Sequence, residues 1–271
     1  SAVLMRLPAL VGVLLIGSLV PRIARRVGVA PAAASWFAVL NPILIIDFVG
    51  GAHNDALMVG LMLLGIWVTM RYRHWWAGAL IVGAAAAIKQ PAFLAAVALP
   101  FLVTPWTSWR PRAVAWAAGK ALASLALSVA VFALISVLSG MGFGWINAIN
   151  VPGMAETISP FTLLGHALQF PATRFGWDPS GVAVVTVVRA IGAVVSVIGI
   201  AVFAYLHLGR RPLHFLAYSF LWFALCAPAL HSWYLLWGGL LLPLTRPTER
   251  VQRIAVGVTS VLLGYGAGNL A

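Results

Sequence analysis

Acidic residues are scarce in this chain: there are five in 271 positions, against 17 Lys and Arg. Charged residues of both signs make up 8% of the sequence, where a soluble domain would carry roughly three times that density. Such a surface could not be solvated by charge, and with 62% hydrophobic residues the chain reads as an integral membrane protein. A single cysteine, Cys226, excludes a disulfide framework and a thiolate metal site. The period-2 alternation of a transmembrane barrel is absent, so the backbone must satisfy itself within helices. Also missing are a Gly-rich phosphate loop ending in Lys-Ser/Thr, a Ser nucleophile elbow, and a third ligand at zinc spacing near His53 and Asp55. No cofactor and no metal are expected.

Apolar runs fall at 3–20, 33–50, 55–70, 75–89, 91–104, 114–138, 182–206, 213–229, 234–244 and 252–269. Several are shorter than the roughly 20 residues of a straight span. The expected fold is therefore an all-α integral membrane protein, a multi-span bundle of about 8–10 transmembrane or half-membrane helices. The stretch 75–104 is either two short helices broken at Lys89-Gln90-Pro91 or one kinked helix. No internal repeat is visible, so residues 1–271 read as a single transmembrane domain. An external loop is expected at about 139–180, with 161–170 as a short interfacial helix between Pro160 and Pro171. The chain opens on Ser1 with no signal-peptide pattern before its first apolar run, so it is expected to be the later part of a longer polypeptide.

A formal net charge of +12 could point to nucleic acid, but the cations sit in short clusters between apolar runs. Arg22, Arg25, Arg26, Arg71, Arg73, Arg110, Arg112, Arg210, Arg211, Arg246, Arg250 and Arg253 are 12 of the 17. All 12 lie in loops that share one face if 75–104 crosses twice, and the positive-inside bias makes that face cytoplasmic. The opposite face then collects residues 50–55, the Lys89 break, the 139–180 segment and His231-Ser232-Trp233-Tyr234. Asp47, Asp55, Glu156 and Asp178, four of the five acids, lie there or adjacent.

The polar knot Gly50-Gly51-Ala52-His53-Asn54-Asp55 sits between two expected spans, 37–49 and 56–70. Asn54 as an N-cap with Asp55 in the first turn accounts for two of its residues by helix capping. His53 is left over, and an imidazole, an amide and a carboxylate at a membrane border mark a functional site. Lys89 either snorkels to the interface or meets an anionic phosphate. Arg189, seven or eight residues into an apolar run, either pairs structurally or faces an anion. Trp233, Tyr234 and Trp237 fit an interfacial aromatic belt, while His231 is suited to relaying a proton near neutral pH. Asp47, inside an apolar run, is expected to face a cavity. Glu156 follows it as a candidate, and Asp178-Pro179 reads as a turn.

Asn41-Pro42 followed by the run from Gly50 to Gly60 resembles the actinobacterial polyprenol-phosphate-mannose-dependent α-1,6-mannosyltransferases, multi-span glycosyltransferases of the GT-C superfamily. Ala87-Ile88-Lys89-Gln90-Pro91-Ala92 and Pro228 with Trp233-Tyr234-Leu235-Leu236-Trp237 follow in matching order. The resemblance implies a hexosyltransferase of GT-C-like fold in the plasma membrane. It implies mannosyl transfer from polyprenyl phosphate mannose to a growing α-1,6-mannan (lipomannan or lipoarabinomannan) at the extracytoplasmic face. The family also carries an acid in its first external loop, a region that would precede this chain.

Glycosyl transfer from a lipid phosphate needs a base for the acceptor hydroxyl and cations for the departing phosphate, and inverts the anomeric carbon if no covalent intermediate forms. The expected catalytic residues are His53, Asp55 and Asp47. The expected substrate contacts are Asn54, Lys89, Arg189, Glu156, His231, Trp233 and Tyr234. The competing reading is a secondary transporter or flippase, for which polar groups near the midplane and an inverted repeat would be expected; a non-catalytic scaffold subunit is a third.

Overall fold

A computed structural model describes residues 4–140, 142–144, 159–177 and 182–268. Every regular element among them is helical. α1 (Leu7–Arg26), α3 (Asp55–Tyr72), α6 (Pro111–Leu138) and α8 (Ala183–Phe203, running on as a π-helical turn to Leu208) are long and apolar enough to cross a membrane. α4 (Trp75–Ile88), the pair formed by the turn Gln90–Ala92 with α5 (Phe93–Val103), and α9 (Pro212–Cys226) are shorter apolar helices. Leu122 and Leu134 on α6 and Val187 and Val194 on α8 stay exposed, as a lipid-facing surface requires. The chain is thus an all-α membrane protein.

The expected span at 33–50 is not one helix. α2 (Pro31–Val39) and a π-helical turn (Leu44–Gly50) are bent by 62°. Pro42 cannot donate to the helical ladder, and the Asn41 side chain accepts the Ile43 N–H at 3.0 Å in its place. The stretch 75–104 resolves into two helices. Lys89 is extended (φ −155°, ψ 122°), and Pro91 restarts the helix at a position where its missing N–H is harmless. The run 234–244 is likewise broken, into α10 (Leu235–Gly239) and a 3₁₀ turn (Leu242–Thr245). α7 (Pro160–Arg174) extends past Pro171, beyond the short helix expected there. α11 (Glu249–Gly268) closes the described chain.

Small residues set the helix spacing. At Gly12 a Cβ would lie 2.2 Å from the Ala56 carbonyl carbon, so α1 and α3 meet backbone to backbone. The two ends of the bundle are then tied by different chemistry. At one end, arginines reach neighbouring helix termini. Arg26 donates to the Met70 carbonyl at 2.9 Å, Arg73 to Val103 at 2.8 Å, and Arg246 to Val27 and Gly28, each at 2.9 Å. The N–H of Trp106 donates to Gly209 at the same end. At the other end are the N-terminus of α3, the Lys89 break, and the segment 227–234.

Candidate functional site

The turn after the π-helical segment is built around Gly51. A Cβ there would lie 2.6 Å from the Asp47 carbonyl oxygen and 2.8 Å from the His53 ring. Ala52 is held at φ 55°, a left-handed conformation that costs a residue with a Cβ roughly 1 kcal/mol. This folding-back presents His53 and then starts α3 at Asp55. Asn54 occupies the N-cap position with helical angles (φ −64°, ψ −15°), makes no side-chain capping bond, and is exposed. The capping expectation therefore fails for Asn54, because a residue with helical angles does not aim its side chain at the first-turn N–H groups. Asp55 does stand in the first turn, where the helix dipole favours it.

Asp55 is 1% exposed. Its two oxygens accept from the Lys89 ammonium at 2.8 and 3.0 Å, and Oδ1 also accepts the Trp237 indole N–H at 2.8 Å. The ammonium lies 4.3 Å from the Tyr234 ring centroid and 5.1 Å from that of Trp237. Lys89 thus neither snorkels free nor stands as an unpaired cation. A carboxylate and two ring faces hold it, with 26% of its side chain exposed. Burial first, then the Asp55 charge, pushes the Tyr234 phenol up to about 12, so it presents a neutral ring to the ammonium.

The second carboxylate is placed differently. Asp47 is half-buried on the π-helical turn and accepts the Ser232 hydroxyl at 2.6 Å through Oδ2. The segments that carry Asp47 and Ser232 also form a three-ring stack. His53 lies on Trp233 with centroids 3.7 Å apart, and His231 covers the indole at 4.4 Å with planes 8° apart. Both indole faces are occupied, so Trp233 is neither a simple interfacial anchor nor an open platform for a sugar ring. The His231 imidazole is held below its ordinary range, chiefly by burial, then by Lys89 and His53, with Asp55 and Asp47 opposing. It is neutral at neutral pH.

Arg189 enters the same end from α8. Its Nε donates to the Thr162 hydroxyl at 3.0 Å, and that hydroxyl donates to the Pro228 carbonyl at 2.6 Å. Ser159 donates to the Ala227 carbonyl, so α7 satisfies the backbone that leads into His231. Glu156 and Asp178 lie outside the described residues. Among the described residues, no group of three or more His, Cys, Asp or Glu side chains is arranged to hold a metal ion.

His53, Asp55, Asp47, Lys89, His231, Trp233 and Tyr234 therefore share one cluster, while Asn54 borders it without a side-chain cap. Ser232, to which the sequence gives no role of its own, and Trp237, which it places in an interfacial belt, also belong to the cluster. The usable signal for Trp237 was an indole three residues past Tyr234 in an apolar run, where a buried N–H needs an acceptor. Beside the Lys89 break, a cavity of about 300 Å³ opens between α5, α6, α8 and α9. Gln90 and Pro91 line one end of it, and Leu94, Leu125, Ile200 and Phe223 line its walls.

Two family models match the chain. One, described as the N-terminal domain of α-(1→6)-mannopyranosyltransferase, covers residues 1–110, and the other, the MptB C-terminal domain, covers residues 161–265. α-(1→6)-Mannopyranosyltransferase A of Mycobacterium tuberculosis is 33% identical over 94% of this chain and 50% of its own length. A probable α-(1→6)-mannopyranosyltransferase of Mycolicibacterium smegmatis is 32% identical over 96% and 52%. α-(1→6)-Mannopyranosyltransferase A of Corynebacterium glutamicum is 32% identical over 72% and 42%. The chain spans about half the length of these curated relatives, and no solved structure matches it. From these matches, the chain belongs to the α-(1→6)-mannopyranosyltransferase family.

Proposed function

We propose that the whole protein transfers mannose from polyprenyl phosphate mannose to a growing α-1,6-mannan at the extracytoplasmic face of the plasma membrane, with inversion at the anomeric carbon. The observation that carries the reading is the convergence, at the arginine-poor end of the bundle, of an ammonium, two carboxylates and two imidazoles from segments far apart in sequence. The donor is a phosphodiester with one negative charge and leaves as a monoester with about one more, so no general acid is needed. The electrostatic requirement is a cation at the leaving oxygen, and Lys89 supplies one from a pre-positioned seat. A proton acceptor must serve the attacking hydroxyl on the other side of the sugar. The cavity beside Gln90 is apolar and suits a prenyl chain, which lets a lipid donor present its phosphate without leaving the bilayer.

The test uses the full-length protein purified in detergent, with radiolabelled polyprenyl phosphate mannose and a short α-1,6-linked mannan acceptor. Label is expected in an acid-stable, elongated glycan, and GDP-mannose is expected to be inert. Transfer from the nucleotide sugar but not from the lipid would overturn the reading.

A further inference from the structure

We propose that the cavity beside the Lys89 break is a measuring seat for the donor chain. It takes the first two or three five-carbon units next to the phosphate and leaves the rest of the prenyl chain in the bilayer, with Leu94 and Val97 setting where recognition stops. This rests on the mannosyl-transfer reading and deepens it, from the class of donor to the part of its chain that is read.

The cavity and the ammonium share a wall. Phe223 lines the cavity and stacks on Trp237, with ring centroids 6.2 Å apart and planes 28° from parallel. Trp237 is one of the two rings beside the Lys89 ammonium. Of the nine lining residues only Gln90 is polar, and it follows Lys89 directly in the chain. Its carboxamide is half-buried and makes no hydrogen bond among the described residues. The cavity is thus polar at the end beside Lys89 and apolar beyond it, which is the order of a phosphate followed by a hydrocarbon.

The cavity also lies where lipid can reach it. α6 packs against α4 and α5, and α8 packs against α7 and α9, so the cavity stands at the seam between two groups of helices. Leu122 and Val129 on α6 and Val197 on α8, each within a turn of a lining residue, are exposed. A chain can therefore enter sideways. It gains no hydrophobic energy by doing so, because lipid tails are as apolar as the walls. What a close-packed seat adds is register: a chain lodged in it holds the phosphate at one depth, beside Lys89.

Size sets the number of units. The lining follows α5 and its leading turn from Gln90 to Val97, about 10 Å of helix axis. An extended five-carbon unit advances about 5 Å, from four zigzag bonds of about 1.5 Å, so two units fill that length. A volume of about 300 Å³, packed to the density of about 0.75 found in protein interiors, takes two to three units of about 90 Å³ each. Val97 is the lining residue of α5 farthest from Lys89, and Leu94 stands one turn nearer.

The experiment uses the whole protein in mixed micelles with synthetic mannosyl phosphates carrying one, two, three, five and ten prenyl units, each at the same mole fraction of the micelle. It reads kcat/KM for transfer to an α-1,6-linked acceptor. Wild type is expected to rise from one unit to three and to stay flat within about twofold from three to ten. For Val97→Phe, which fills the far end, the ratio of variant to wild type cancels micelle partition; it is expected to fall at least fivefold between one unit and three and to stay constant beyond. Leu94→Phe is expected to bring that fall between one unit and two. A wild-type rate that keeps climbing from three units to ten, or a ratio equal at every chain length in variants that fold, overturns the proposal. The wild-type series decides alone where a variant does not fold. A wild type that transfers mannose from no prenyl phosphate donor ends the mannosyl-transfer reading itself, so the two failures are distinguishable.

Discussion

Replacing Lys89 by Met is the most informative perturbation of this bundle. It removes the cation and keeps most of the aliphatic stem. Truncating one partner of a buried ion pair costs about 3–5 kcal/mol, because the other charge is left desolvated. Two features move this case to the lower end. The Lys89 side chain is 26% exposed, so part of its solvation was never lost. Asp55 would also keep the Trp237 N–H, a bond to a charged group worth about 1.5–3 kcal/mol. The expected loss is therefore about 3 kcal/mol.

Asp55→Asn should cost less, about 1–2 kcal/mol, since the amide oxygen still accepts from Trp237 and the freed ammonium can turn toward solvent. The double variant places a neutral pair in the same space and should regain about 2 kcal/mol relative to the sum of the singles. Equilibrium unfolding of the four proteins in mixed micelles titrated with SDS reads these values directly. Additivity within about 0.5 kcal/mol would mean that the two charges do not sense each other, and the account of Lys89 as a clamped cation would be wrong.

Three further outcomes follow from the same geometry. Gly51→Ala should misplace His53 and the Asp47 carbonyl, because the new Cβ meets backbone at 2.6 Å and the imidazole at 2.8 Å; turnover should fall at least tenfold, whereas Gly50→Ala, which meets only a carbonyl at 3.7 Å, should be close to neutral. His231 is held neutral below its ordinary range, so its contribution to stability is fully present above about pH 6.5 and is lost as pH falls through the lowered folded value; His231→Gln should flatten the acid side of a stability-against-pH curve, and an unchanged curve would refute the assignment. In a Cys226→Ser background, cysteines placed at positions 54 and 210 should react with a membrane-impermeant maleimide from opposite sides of sealed vesicles, and labelling of both from one side would refute the two-ended picture.

Much of this was readable from residue order. Low charge and long apolar runs made the chain helical and membrane-bound, Pro91 after a run of alanines located the α4–α5 break, and clustered arginines marked one end of the bundle. The choice of partner was not readable. Asp55 meets Lys89 34 positions away and Trp237 182 positions away, and Asp47 meets Ser232 at a separation of 185. Such pairings depend on helix register and rotation, which local periodicity does not carry. Asn54 illustrates the opposite error: its residue type predicted a cap, but the left-handed step at Ala52 had already turned the backbone into helical angles. The 33–50 run misled for a third reason, since hydropathy averages over Asn41-Pro42 and does not register the missing donor.

The lengths of the helices explain why the site is made of paired rather than free charges. α4 has 14 residues, so it rises about 21 Å from its start near Arg71 and Arg73 to the Lys89 break. A hydrocarbon core is about 30 Å thick, so a break at that height lies short of the far border, and any tilt of α4 deepens it. α6, packed against α4 and α5, has 28 residues and rises about 42 Å, so it stands above the break as a wall. In such a recess an isolated ammonium or carboxylate is expensive, and a neutral Asp55–Lys89 pair roofed by Tyr234 and Trp237 is the form in which a cation can be kept ready. A recess of this kind also selects its ligand. A water-soluble sugar nucleotide would have to surrender its hydration to reach Lys89, whereas a lipid phosphate arrives with its chain already in the bilayer and need only dip its head. The depth of the break is therefore an independent reason, apart from any resemblance, to look for a lipid-linked donor.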